Sequence, residues 1–177
     1  MNLPMGNTDR TLLAFGKAMA AWARIEVGFY CWFEHIGGFD LRQAKPIYYS
    51  ATNFKSRMDL IRAAMAGVTL EEDEETFIRR AMKLAETYNS FRNKLAHGEF
   101  TFDGLLVEGK HVDPRAARAA AISIDELFAF ANSANDFSLI LYRARDLAWG
   151  PSEEDDTAPS TLEGCTERLK ELRRTFK

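Results

Sequence analysis

Near the middle of the chain, Asn89, Asn93 and His97 recur at four-residue steps, with Arg92 beside them. On a helix that repeat stacks the side chains on one face. The residue types are ones that handle phosphate and protons. An arginine presents a fixed fork of N–H donors that matches a phosphate. A histidine exchanges protons near neutral pH and can serve as acid or base. Asn93 can hydrogen-bond a phosphate or a ribose hydroxyl, and Asn89, Lys94 and Tyr88 stand close enough in sequence to assist. Two asparagines inside a helix cost roughly half a kcal/mol each against alanine. A merely solvated face more often carries Glu and Lys, so the face invites a functional reading. A structural reading stands beside it. His97 precedes Gly98, where a cationic side chain simply caps a helix C-terminus.

A long helix must position these residues. Counting back from Leu95 gives Phe91, Tyr88, Leu84, Ala81 and Phe77, a three-four spacing that predicts one buried stripe. Thr69 with Glu72 is the expected capping box, and the acids from Glu71 to Glu75 suit the positive end of the helix dipole. No second acidic pair is spaced to face them, so no metal site is expected there. Arg92 and His97 are five residues apart and diverge by roughly 140° on an ideal helix. Either the helix ends before His97, which Gly98 allows, or a second copy of the chain completes the site.

Arg92-Asn93-Lys94-Leu95-Ala96-His97 resembles the signature of the HEPN domains (higher eukaryotes and prokaryotes nucleotide-binding), an arginine, a polar residue and a histidine a few positions on. The resemblance spans about residues 8 to 148, though only the motif is specific. It implies an all-α, HEPN-like bundle of four to five helices. It also implies a homodimer whose paired motifs line one cleft. Catalytic members are metal-independent endoribonucleases, often toxins or defence effectors, so RNA is the implied substrate and an antitoxin or regulatory protein an implied partner. Other members bind nucleotide, RNA or a protein without cutting. Metal-free RNA cleavage needs a base for the 2′-hydroxyl proton, an acid for the leaving oxygen and a cation for the phosphorane. Arg92, Asn93 and His97 are the expected catalytic set, with Asn89, Lys94 and Tyr88 as binding residues. No cofactor is expected.

The rest of the chain must build the scaffold. Its 177 residues suit one domain, and a hydrophobic share of 46% is ordinary for a globular chain. A net charge of −3 argues against coating nucleic acid with a bulk basic surface but leaves room for a local basic site. Cys31 and Cys165 form no metal or redox pattern. No apolar run approaches the roughly 20 residues of a membrane span, and the N-terminus lacks an export signal, so no membrane and a cytoplasmic setting are expected.

Thr8 or Asp9 is the expected cap of a first helix running to about Ile36, with His35 as a cap or surface residue. Glu26 sits within its aromatic face, between Trp22 and Tyr30. Two readings are open: an edge carboxylate that reaches water, or a buried one that needs a cation. Arg92 is the candidate partner, which would make Glu26 its orienting residue. Residues 39–52 predict a short or kinked turn, capped by Asp40 with Gln43 and interrupted by Pro46. A helix from about Asn53 to Gly67 carries Phe54, Met58, Ile61 and Met65. After Gly98, alternation around Asp103-Gly104 predicts a small β-hairpin, followed by a basic loop from Lys110 and His111 through Arg115 to Arg118. Ser123 with Glu126 caps a helix to about Ala148. The domain is thus expected over residues 1–150, an acidic flexible linker over 151–160, and a short helix over 161–177 capped by Ser160 with Glu163.

Overall fold

The computed structural model describes residues 6–101, 104–107, 120–149 and 159–175. The fold is an all-α bundle. Its helices are α1 (Asn7–Gly37), α2 (Leu41–Ser50), α3 (Phe54–Ala66), α4 (Glu72–Ala96), α5 (Ile124–Trp149) and α6 (Leu162–Thr175). Between α4 and α5 lie three short strands, β1 (Glu99–Thr101), β2 (Gly104–Val107) and β3 (Ala120–Ser123). The expected hairpin is there as β1 and β2, with Phe100 opposite Leu105, and β3 adds to its far edge with Ile122 opposite Leu105. The third strand hid in a stretch that looked like the lead-in to a helix. Ile122 alternates with Ser123 and then passes straight into the cap of α5. The basic loop with Lys110, His111, Arg115 and Arg118 lies outside the described residues, as does most of the acidic linker.

α1 and α5 form the spine. Lys17 lies over the Phe128 ring, Phe29 meets Phe137, the Trp32 indole donates to the Leu141 carbonyl at 3.1 Å, and His35 meets Trp149. The partner numbers climb together, so the two helices run parallel. The facing side of α1 is built of small residues, Ala14, Ala18, Ala21 and Gly28, between the large ones. A Cβ on Gly28 would stand only 3.0 Å from Leu141 Cδ1, so this glycine is what lets α5 approach. Gly38 stops α1 in the left-handed conformation at φ 59° and donates back to the Glu34 and His35 carbonyls.

α4 lays its predicted stripe on this spine. Phe77, Ala81, Leu84, Tyr88 and Leu95 are buried, and Phe91 stacks on Phe130 with centroids 4.7 Å apart. α3 buries Phe54, Met58, Ile61 and Met65, and the Asn53 side chain caps it by accepting from Ser56 N–H at 2.9 Å. α6 packs on α4 and α5 and buries Leu162, Cys165, Leu169 and Leu172 in the same core.

Several expected ends differ. α1 begins after Gly6 with no side-chain cap, so neither Thr8 nor Asp9 plays that part. The Asp40–Gln43 capping box forms, but α2 then runs ten residues through Pro46. Pro46 and Arg42 are both exposed, so water can serve the carbonyl that the proline leaves without a donor. α4 starts after Glu71 without a side-chain cap, and Thr69 lies too far back to form the capping box. Four acids in its first turn complement the dipole instead. At α6 it is Thr161, not Ser160, whose hydroxyl accepts from Gly164 N–H at 3.0 Å.

Tyr88 lies wholly inside, its ring between Phe130 and Phe137, its hydroxyl hydrogen-bonded to Ser133. Burial pushes its phenol up to about 12, and burial raises Tyr48 as well. In the unfolded chain a phenol ionises near pH 10. The folded pKa is the higher one, so this contribution is intact below pH 10 and is lost as pH rises towards 12. Tyr88→Phe is therefore expected to lose less stability than wild type across that window, measured by urea unfolding at stepped alkaline pH. Equal losses in the two proteins would contradict the assignment.

Candidate functional site

α4 ends where the proposed motif does. Its last helical residue is Ala96, His97 is the C-cap at φ −113° and ψ 7°, and Gly98 N–H reaches the Leu95 carbonyl at 3.4 Å. Of the two routes open to Arg92 and His97, the helix thus stops short of the histidine. His97 is exposed and makes no side-chain hydrogen bond among the described residues.

One turn earlier, Asn89, Arg92 and Asn93 together line a polar hollow of about 400 Å³. The opposite wall comes from the start of α3 and the residues before it: Thr52, Asn53, Phe54, Lys55 and Arg57. Glu26 of α1 completes the lining. His97, Lys94 and Tyr88 are not part of it. The hollow holds three cations, Lys55, Arg57 and Arg92, against one carboxylate, on a chain whose net charge is −3.

Arg92 donates from Nη1 to Asn93 Oδ1 at 3.3 Å. Its Nε is buried and has no hydrogen-bond partner among the described residues. Leaving a buried donor unpaired costs about 1–3 kcal/mol.

The expected Glu26–Arg92 pair does not form. Glu26 instead accepts from Arg57 Nη1 at 2.8 Å. The reason lies in the packing of α3 against α1. Phe54 sits edge-on to Trp22 at 5.0 Å and to Phe29 at 6.2 Å, on either side of Glu26, and this brings Arg57 to the carboxylate. Arg57 is further fixed by Nε donating to the Ala51 carbonyl at 3.2 Å and by the Tyr48 and Tyr49 rings, 5.7 and 5.2 Å from its guanidinium carbon. Glu26 therefore orients Arg57, a residue that sequence reasoning missed. The signal in the sequence was a carboxylate needing a cation; nothing in it named which cation.

Two other binding candidates lie away from the hollow. Tyr88 is fully buried and belongs to the core stripe, so it cannot touch a ligand there. Lys94 is exposed and forms no ion pair among the described residues, though its charge has a minor influence on Glu126 at the start of α5. The Ser123 backbone N–H first, then the Ser123 hydroxyl and Lys94, hold the Glu126 carboxyl below its usual range. Both Ser123 bonds to the carboxylate are 2.8 Å long, and Glu126 N–H donates to Ser123 Oγ at 3.2 Å, which with the Ser123 N–H bond completes the expected capping box. His35 is neither a cap nor a free surface group. It meets Glu74 at 3.4 Å and stands edge-on to Trp32 and Trp149.

No family model, curated protein or solved structure matches this chain. Among the described residues, no group of three or more His, Cys, Asp or Glu is placed to hold a metal ion. No helix among them is long and apolar enough to cross a membrane. The chemistry within reach is therefore that of a cationic, amide-lined hollow with a histidine at the nearby helix end: anion binding, and proton transfer if a second group brings substrate to His97.

Proposed function

We propose that this chain is a HEPN-type, metal-independent endoribonuclease of toxin or defence type, working in the cytoplasm as a homodimer. The observation that carries the reading is the shared hollow of Asn89, Arg92 and Asn93, with His97 exposed just past the end of the same helix. Arg92 holds the scissile phosphate and stabilises charge on the phosphorane. Asn93 supports Arg92 and can hold a phosphate or ribose oxygen. A neutral His97 takes the proton from the ribose 2′-hydroxyl, O2′ attacks phosphorus, and the bond to the 5′-oxygen breaks. A protonated His97 from the second copy gives its proton to that oxygen. The products are a 2′,3′-cyclic phosphate and a 5′-hydroxyl.

His97 does not line the hollow of its own chain, which is why two copies are invoked. The same observation favours the second reading, a non-catalytic dimer that holds nucleotide, RNA or a partner protein such as an antitoxin.

Subunit mixing tests the composite site. With the wild-type concentration held constant, excess His97→Ala protein is added and the subunits are allowed to exchange. The rate should fall, because each mixed dimer keeps only one of the two histidines that the mechanism uses. Only monomers by light scattering at micromolar concentration, or an unchanged rate on proven mixing, would contradict the dimer.

A further inference from the structure

The motif residues form only one wall of the hollow. The other wall, at the start of α3, has no place in the proposed motif, yet it brings Lys55 and Arg57 to face Arg92. Arg57 is held by Glu26, by the Ala51 carbonyl and by two tyrosine rings, so its guanidinium is fixed before any ligand arrives. Lys55 is exposed and makes no ion pair among the described residues. The backbone positive end of α3 adds to the same field. Across from them, Arg92 brings a third cation to the α4 wall of the hollow. Among the described hollows, another basic one lies between α4 and α6, lined by Arg80, Lys83 and Arg173, but no guanidinium there is braced among the described residues as Arg57 is by Glu26 and the tyrosine rings.

We infer that Lys55 and Arg57 are phosphate-binding residues, and that the hollow within each single chain grips one phosphodiester of a single RNA strand between α3 and α4. The inference rests on the reading of RNA as the substrate, and it does not need cleavage. Glu26 is the positioning residue. It aims Arg57 and keeps the hollow from being so positive that a phosphate could not leave.

The test is binding of a short single-stranded 2′-O-methyl oligonucleotide, which has no free 2′-hydroxyl and stays intact. Fluorescence anisotropy is read over a salt series. Wild type should bind at low salt. Lys55→Ala and Arg57→Gln should each weaken binding roughly ten-fold. Each should also flatten the logarithmic salt slope by about 0.7, the value for one phosphate of a single strand that is no longer neutralised. Lys55→Arg should restore both, and Lys83→Ala, on the other basic hollow, should change neither. Arg57→Gln strips Glu26 of its partner and can disturb the fold, whereas Lys55 is exposed and its substitution is not expected to. No binding by wild type, or wild-type affinity and slope in Lys55→Ala, overturns the inference. RNA that is bound in this way but never cut would sink the ribonuclease reading and leave this site standing. RNA that is cut normally by Lys55→Ala protein of unchanged affinity does the reverse.

Discussion

His97→Ala is expected to slow RNA cleavage by roughly 10² to 10⁴, the usual range for a lost proton-transfer group. Arg92→Ala is expected to slow it by on the order of 10² to 10³, as when one oxyanion donor is removed. Both proteins should stay folded. His97 is exposed at the end of α4 and Arg92 lies off the stripe from Phe77 to Leu95. Had Arg92 been the partner of Glu26, its loss would have left a carboxylate unpaired in a half-buried place. Glu26 pairs with Arg57 instead, so Arg92→Ala should cost little stability. Arg92→Lys keeps the charge but not the fork and should recover only part of the rate. Initial rates on single-stranded RNA, beside circular dichroism of each variant, check these expectations. A His97→Ala protein as fast as wild type would remove the histidine from the mechanism.

The largest effect on stability is expected at Phe137. Its ring is fully buried on α5, against Phe29 of α1 at 6.2 Å and Tyr88 of α4 at 5.3 Å. It joins the three helices whose packing sets the direction of the polar face of α4. Phe137→Ala removes that ring and leaves a cavity, at a cost of about 3–5 kcal/mol. Leu139, two residues on, is 57% exposed. Leu139→Ala should change stability by no more than about 0.5 kcal/mol. Urea unfolding of the two variants measures the contrast. A loss below about 1 kcal/mol at Phe137 would mean that the core closes around the gap or that the three helices do not meet there.

The stripes of α3, α4 and α5 were legible because burial on one helix face leaves a period in the sequence. The capping pairs Asp40–Gln43 and Ser123–Glu126 were legible because both partners lie within one turn. Pro46 misled because an exposed helix tolerates a proline that a buried one does not. Tyr88 fits both the stripe and the site by spacing, and only the stripe agrees with its burial. Glu26 does need a cation, as its place in an aromatic face suggests. Its partner was not legible, because Arg57 reaches it through the packing of α3 on α1, which no local spacing encodes. For the same reason the α3 wall of the hollow was invisible. Lys55 and Arg57 lie far from Arg92 in the chain and share no period with it.

The central claim is metal-free cleavage of RNA by a site containing His97. It is tested most directly by incubating the purified protein with single-stranded RNA in excess EDTA and analysing the ends of the products. Cleavage should persist, and the new ends should be a 5′-hydroxyl and a 2′,3′-cyclic phosphate or the monophosphate into which it opens. DNA and 2′-O-methyl RNA should stay intact. RNA left whole by the wild-type protein, or cleavage that disappears in EDTA, would contradict the account.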